Sequence, residues 1–119
     1  MKETIHDLMQ RRSCRKYQDR QITEEELNTI LEAGTYAPTG MGKQSPKMVV
    51  IQNSDLIAKI SKMNADVMHS SSDPFYGAPT LVIVFGDKNV RTYIQDGALV
   101  MGNMMNAAQA LGVASCYIN

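Results

Sequence analysis

The sequence of 119 residues has no tryptophan and only two cysteines and two histidines. Cys14 and Cys116 form no Cys-x-x-Cys pair, and His6 and His69 do not complete a zinc-binding pattern with them. We therefore expect no metal site, and we interpret both cysteines as free packing thiols without a redox role. Because tryptophan is absent and there are nine methionines, methionine is expected to fill the irregular gaps of the core.

The sequence also lacks an excess of charge of either sign and any long hydrophobic run. Twelve basic and twelve acidic side chains give a net charge of zero, whereas a dedicated nucleic-acid-binding domain is usually basic. No apolar run is long enough to span a bilayer, and the first residues contain no apolar signal segment. We therefore expect one cytoplasmic domain, residues 1–119, that binds neither nucleic acid nor membrane.

Hydrophobic periodicity and capping signals predict four helices and three strands. The helices are expected over residues 3–12, from a capping box at Thr23 and Glu26 to a stop at Gly34, from a capping Ser54 to Val67, and over residues 93–111. The strands are expected over residues 48–51, 80–85 and 114–118. Because the first two strands are apolar throughout, we expect both of their faces to be buried within a covered sheet.

The fourth predicted helix has an unusual composition, because small residues alternate with leucine and methionine on nearly every side. Glycine inside a helix costs about 1 kcal/mol relative to alanine, so Gly97 and Gly102 suggest the close approach of another helix or a ligand. A helix that is apolar almost all round is buried on more than one side. We therefore expect a central helix or one at a subunit interface, and Gly112 is expected to end it.

Familiar catalytic patterns are missing. The loop over residues 36–46 is not a phosphate-binding P-loop, because Ala37 stands where glycine is required and Gln44 where serine or threonine is required. A dinucleotide fingerprint fails at Ser45, which replaces its third glycine. No histidine lies in a nucleophile-elbow context, and capping explains the acidic run over residues 24–26. We therefore expect no catalytic side chain and no hydrolytic mechanism.

Charge is concentrated in one segment. Arg11, Arg12, Arg15 and Lys16 lie within six residues, together with Ser13 and without a carboxylate. Guanidinium groups form paired N–H···O bonds that match the oxygens of a phosphate. This basic cluster is therefore a candidate site for a phosphorylated ligand, with a solvated basic patch and a salt-dependent nucleic-acid contact as alternatives. A phosphate site without catalytic side chains is typical of a protein whose cofactor supplies the chemistry.

Four segments resemble, in the same order, the signatures of the nitroreductase family of FMN-dependent oxidoreductases. Residues 11–17 resemble its RRSxRxY/F signature, residues 37–46 its APSxxNxQPW-like loop, residues 78–84 its Ala-Pro-strand segment, and residues 96–118 its central helix with a GLGSCWI-like strand. The chain departs from the pattern where Gly42 stands in place of asparagine and Ser45-Pro46 in place of Pro-Trp. The family's usual C-terminal segment is absent from the sequence.

The resemblance implies an α+β fold: a three-layer sandwich with a central, mostly antiparallel sheet flanked by helices, assembled as an intertwined homodimer. FMN would lie at the subunit interface and supply the chemistry. By analogy with the family, the FMN phosphate and ribityl chain would contact Arg11, Arg12, Ser13 and Arg15. The ring would be flanked from the other subunit by Pro38, Thr39, Gly40 and Gln44. Its reactive edge would lie near Tyr117, Ile118 and Asn119.

The activity that the resemblance implies is a ping-pong oxidoreduction. NADH or NADPH would give a hydride to FMN, and a small electron-poor acceptor such as a nitroaromatic or a quinone would then take the electrons. The alternative is a nitroreductase-like dimer that is catalytically weak or inactive because the C-terminal segment is missing.

Overall fold

The computed structural model describes all of residues 1–119 and contains four α-helices and two β-strands. In chain order these are α1, Glu3–Gln10; α2, Glu24–Thr35; β1, Lys47–Ile51; α3, Ser54–Val67; β2, Leu81–Phe85; and α4, Tyr93–Ala110. A short 3-10 turn, Gly40–Gly42, lies in the loop between α2 and β1. The four predicted helices and the first two predicted strands are confirmed, although α1 ends at Gln10 instead of residue 12. No helix combines the length and the apolar composition that crossing a bilayer requires.

Helix α2 begins with the predicted capping box. The Thr23 hydroxyl accepts a hydrogen bond from the Glu26 backbone N–H, and the Glu26 carboxylate accepts one from the Thr23 backbone N–H, each at 3.0 Å. The backbone and side-chain hydrogen bonds from Thr23 hold the pKa of the Glu26 carboxyl below its usual value. Two N–H groups that every helix start leaves unpaired are satisfied in this way.

The core forms where α2 packs against α4. Its buried residues are Ile30, Ala37, Val100, Met104 and Ala108. Helix α4 also contacts α1 and β2, which confirms its prediction as a central helix.

The prediction that Gly34 stops α2 is wrong, because the helix continues to Thr35 with Gly34 buried inside it. A β-carbon at Gly34 would lie 2.9 Å from Met104 Cγ, so this glycine permits the close approach of α2 to α4.

Helix α3 is capped one residue earlier than predicted. The Asn53 side chain accepts a hydrogen bond from the Leu56 backbone N–H at 3.0 Å, while Ser54 is already the first helical residue. Asparagine and serine are about equally good N-caps, so the sequence alone did not distinguish them. The backbone conformation at Asn53, which is extended, decided between the two.

The sheet consists of β1 and β2, paired antiparallel with Val49 opposite Ile83. Helices and an antiparallel sheet give the predicted α+β class. The predicted burial of both faces of β1 is wrong, because its residues alternate between exposed and covered positions. That alternation is typical of an antiparallel strand with a single packed face. Strand β2 is partly buried over four of its five residues.

The C-terminal end of α4 forms a Schellman motif. Gly112 has φ +74°, its N–H donates to Gln109 O at 3.0 Å, and the Val113 N–H donates to Ala108 O at 2.8 Å. The prediction that Gly112 ends the helix is therefore confirmed. The predicted strand over residues 114–118 is not formed. A strand requires a series of backbone hydrogen bonds to a neighbouring strand. This segment accepts only one backbone hydrogen bond, from Cys14 N–H to Ser115 O at 3.0 Å.

The close packing at Gly34 predicts a difference between two alanine substitutions. In Gly34→Ala the new methyl group would crowd Met104, whereas in Gly97→Ala it would meet Val84 Cγ1 at an ordinary 3.7 Å. Both changes replace a helical glycine, so the gain in helix propensity largely cancels. We expect Gly34→Ala to be less stable than Gly97→Ala by about 1–3 kcal/mol, the usual cost of overpacking. Urea denaturation of both variants measures this difference, and equal stabilities would contradict the crowding.

Candidate functional site

The basic cluster begins where α1 ends. The guanidinium group of Arg12 donates through Nη1 to the backbone oxygens of Met9 and Arg11, each at 2.9 Å. These bonds cap the C-terminal end of α1, where helical carbonyls lack partners. Arg12 therefore stabilises the fold with one nitrogen, while its guanidinium retains further N–H groups for a ligand.

The other predicted phosphate contacts are available to a ligand. Ser13 and Arg15 are exposed, and Arg11 is partly buried. The segment 11–17 contains no carboxylate that would compete for its cations. Exposed guanidinium groups beside a hydroxyl fit the phosphate of the FMN that the resemblance implies, because both donate to phosphate oxygens.

One backbone hydrogen bond docks the basic cluster onto the C-terminal segment, and a second hydrogen bond lies within the segment 11–17. The Cys14 N–H donates to Ser115 O at 3.0 Å, and the Tyr17 hydroxyl donates to Cys14 O. Burial, followed by the nearby thiols of Cys116 and Cys14, raises the pKa of Tyr17 to about 12. The structure thus brings the arginine segment close to the residues that follow Ser115, which include the predicted ring contacts Tyr117, Ile118 and Asn119. Tyr17, which sequence reasoning did not assign to the site, lies at this junction, since its hydroxyl is bonded to Cys14 O and its pKa is affected by Cys116.

A cavity of about 1140 Å³ lies beside this junction and is lined mostly by hydrophobic residues. Of the predicted site residues, only Tyr117, Ile118 and Asn119 line it. The predicted phosphate contacts and the predicted loop contacts lie outside the cavity. Cys14 and Lys16, which belong to the basic segment, do line the cavity, so the cavity adjoins the candidate phosphate site without including its predicted contacts.

The predicted ring-flanking residues lie in the loop over residues 38–44, where the backbone is constrained. Met41 and Gln44 have positive φ values of 55° and 52°, which residues other than glycine rarely adopt. Thr39 supports this shape, because its hydroxyl accepts from Gln44 N–H and its carbonyl from Gly42 N–H, each at 3.0 Å. Pro38 and Gln44 are exposed, so this loop presents side chains outward from a defined backbone.

The loop is attached to the first turns of α4. The Gly40 N–H donates to Asp96 Oδ1 at 3.0 Å, and the Thr92 hydroxyl donates to Asp96 Oδ2 at 2.8 Å. A β-carbon on Gly40 would lie 2.2 Å from Thr92 Oγ1, so contact with α4 already requires glycine at this position. Sequence reasoning gave Asp96 and Thr92 no role in the site. The available signal was that Asp96 is the one charged residue of α4.

The two groups of predicted contacts lie towards opposite ends of α4. The loop is bound at Asp96, near the start of the helix, whereas the basic cluster is bound at Ser115, just beyond its end. At about 1.5 Å of rise per residue, Asp96 and Ala108 alone are about 18 Å apart along the helix axis. Within one copy of the chain, no hydrogen bond joins the cluster to the loop.

Comparison with known proteins shows what the chain is similar to. Residues 8–74, more than half of the chain, match the model of the Nitroreductase family. A solved structure of a nitroreductase with bound FMN from Bacteroides fragilis is 34% identical and superposes with a TM-score of 0.91, covering 100% of this chain and 71% of that one. An FMN-dependent nitroreductase from Clostridium difficile is also 34% identical, with a TM-score of 0.90 and coverages of 96% and 59%. These superpositions confirm the predicted fold class.

One curated relative matches nearly all of the chain. It is a protein from Methanothermobacter thermautotrophicus, named provisionally as an NADH dehydrogenase/NAD(P)H nitroreductase, and it is 27% identical over 119 residues. The match includes 97% of this chain, which spans 60% of the length of that relative.

The environment of Tyr17 predicts that its hydroxyl ionises only at a high pH. We expect its hydroxyl to ionise near pH 12 instead of the usual 10.0, because burial and the neighbouring thiols disfavour the phenolate. The folded-state pKa exceeds the unfolded value, so this contribution to stability is complete below about pH 10 and is lost as the pH rises towards 12. An alkaline titration of tyrosinate absorbance, with circular dichroism to verify folding, checks this expectation.

Two variants test whether Tyr17 is the residue that ionises near pH 12. Tyr17→Phe is expected to lack the late step, the titration step near pH 12. Tyr36→Phe, at a position that is 77% exposed, is expected to retain it. A late step that persists in Tyr17→Phe would show that Tyr17 is not the group responsible.

Proposed function

The chain belongs to the nitroreductase family, and on that premise we propose that it acts as an FMN-dependent NAD(P)H oxidoreductase on electron-poor acceptors such as nitroaromatics and quinones. When bound, FMN supplies the redox chemistry by taking electrons from NADH or NADPH and passing them to the acceptor. The observation that carries the proposal is the bond between Cys14 N–H and Ser115 O, which joins the basic cluster to the predicted ring contacts. Two of the similar proteins, at 34% identity, are described as binding or depending on FMN.

In this proposal the basic cluster holds the phosphate and ribityl end of FMN. Arg11, Arg12, Ser13 and Arg15 provide charge-assisted and hydroxyl hydrogen bonds. The capping bonds of Arg12 support the assignment, because they fix the direction in which the following residues leave α1. Tyr117, Ile118 and Asn119 would lie near the reactive edge of the ring.

We further propose that a second copy of the chain completes the site. The loop contacts Pro38, Thr39, Gly40 and Gln44 would come from the partner, because within one copy the loop is bonded to Asp96 near the start of α4, whereas the cluster is bonded to Ser115, which follows α4. Apolar side chains left exposed on α1 and α4 support such a dimer, among them Ile5, Met9, Ile94 and Leu99. A β-carbon at Gly102 would meet nothing within 4 Å inside the chain, which leaves room there for a partner.

The proposed activity is tested with the purified protein. We expect a yellow protein, or one that takes up added FMN, that migrates as a dimer and oxidises NADH or NADPH when menadione or a nitrofuran is present. Failure to take up FMN would refute the proposal. FMN binding and dimerisation without turnover would support the alternative, a nitroreductase-like dimer that does not catalyse the reaction.

The phosphate assignment predicts the effect of one substitution. Arg15→Ala is expected to weaken FMN binding by about 1–3 kcal/mol, the scale for a hydrogen bond to a charged group, which corresponds to about 5- to 150-fold in Kd. Titration of FMN fluorescence against the apoprotein measures the change.

Arg20→Ala is the matched control, because Arg20 is also exposed but lies in the polar link before α2. We expect this variant to bind FMN nearly as well as the unmodified chain. Equal losses in the two variants would indicate diffuse electrostatic attraction instead of a contact between Arg15 and the phosphate.

A further inference from the structure

The burial and hydrogen bonding of the Asp96 carboxylate are not explained by its position in α4 alone. Asp96 is 2% exposed and is the only charged residue among the buried ones. Both of its oxygens are occupied: Oδ1 accepts from the Gly40 N–H and Oδ2 from the Thr92 hydroxyl. A buried carboxylate is costly unless it is fully hydrogen-bonded, and an apolar residue would serve a purely packing role better.

We propose that Asp96 is a positioning residue that fixes the loop over residues 39–44 in the shape that receives the flavin ring. This inference rests on the proposed function, because it gives the loop its role beside the ring. Asp96 does not touch the ligand in this scheme. It acts through the Gly40 backbone N–H, which is 56 residues away in sequence.

The strained backbone of the loop explains why an anchor is needed. Met41 and Gln44 both adopt the left-handed region without being glycine. Such conformations are unfavourable for residues other than glycine and persist only where the surroundings hold them. The bonds of Thr39 lie within the loop itself, whereas the bond from Gly40 to Asp96 is the side-chain hydrogen bond that ties the loop to another element.

Steric fit reinforces this anchor. The missing β-carbon of Gly40 would lie 2.2 Å from Thr92 Oγ1, so the loop backbone is seated directly against the residue that precedes α4. The next residue in the loop, Met41, is 92% exposed. Gly40 is thus held from the helix side while the neighbouring side chains face outward, which is the arrangement required of a preorganised ligand contact.

A competing explanation is that Asp96 only stabilises the positive end of the α4 dipole. Asp96→Asn distinguishes the two. An asparagine keeps an oxygen that can accept from Gly40 N–H and an amide that can donate to the Thr92 hydroxyl, but it loses the negative charge. If Asp96 positions the loop, the Asp96→Asn variant keeps the loop conformation of the unmodified chain. If Asp96 only stabilises the helix dipole, Asp96→Asn behaves like Asp96→Ala.

The first measurement needs no cofactor. The loop contains Lys43, so the rate of tryptic cleavage after Lys43, divided by the rate after Lys62 in α3, reports local opening of the loop separately from global unfolding. We expect Asp96→Ala to raise this ratio about tenfold or more and to remove the exchange protection of the Gly40 amide. Asp96→Asn is expected to leave the ratio near that of the unmodified chain.

Asp73→Ala is the matched control. The Asp73 carboxylate also accepts from backbone N–H groups, those of Phe75 and Gly77, and from the Ser61 hydroxyl, but in a turn that follows α3. We expect this variant to lose some stability without a change in cleavage at Lys43. If Asp96→Ala does not fold, Thr92→Val replaces it, because this substitution removes the hydroxyl that orients the carboxylate while preserving the shape of the side chain.

The second measurement uses FMN and links the loop to the proposed site. Asp96→Ala is expected to weaken FMN binding about tenfold and to alter the visible flavin spectrum, with recovery in Asp96→Asn. An unchanged cleavage ratio at Lys43 in Asp96→Ala would overturn the anchor whether or not FMN binds. A released loop with unchanged FMN affinity and spectrum would overturn its role in positioning, whereas failure of the unmodified chain to bind FMN would refute the proposed function instead.

Discussion

The packing of α4 against α2 is the contact on which the other features of this structure depend. Buried Val100, Met104 and Ala108 lie on the side of α4 that meets Ile30, and Gly34 lets the helices approach closely. Because α4 also contacts α1 and β2, fixing this one helix fixes the positions of most of the remaining chain. The two attachments that matter for the site are made at its two ends.

These attachments are of different physical kinds. At the start of α4 a buried carboxylate accepts a backbone N–H and so determines the shape of a surface loop. Beyond its end, a Schellman motif turns the chain so that Ser115 can accept from the segment that follows α1. In our proposal the site is divided between the groups held at these two attachments. This division is why a second copy of the chain enters the proposal.

In our proposal the cofactor supplies the chemistry, so that few side chains of the candidate site need a chemical role. Arg12 contributes to the fold through the α1 carbonyls and, in our proposal, to the ligand through its remaining donors. Burial raises the pKa of Tyr17 to about 12, which suits a residue that donates a structural hydrogen bond to Cys14 O instead of exchanging protons with a substrate. The groups placed around the proposed ligand therefore position it and balance its charge, while the cofactor would carry the electrons.

The sequence by itself determined the features that depend on neighbouring residues: the capping box at Thr23, the Gly112 stop, the helical periods, and the density of cations that made residues 11–16 a candidate anion site. Only the tertiary structure decided that Gly34 is a packing position, that Asn53 is the cap of α3, and that residues 114–118 receive one backbone bond instead of a ladder. It alone revealed Asp96 as the partner of Gly40. The physical reason is the separation in sequence of the residues that interact. Caps and helical faces depend on residues a few positions apart, so the sequence shows them directly. Burial, strand pairing and the bond between residues 40 and 96 join segments that are distant in sequence, so they depend on the folded arrangement of the whole chain.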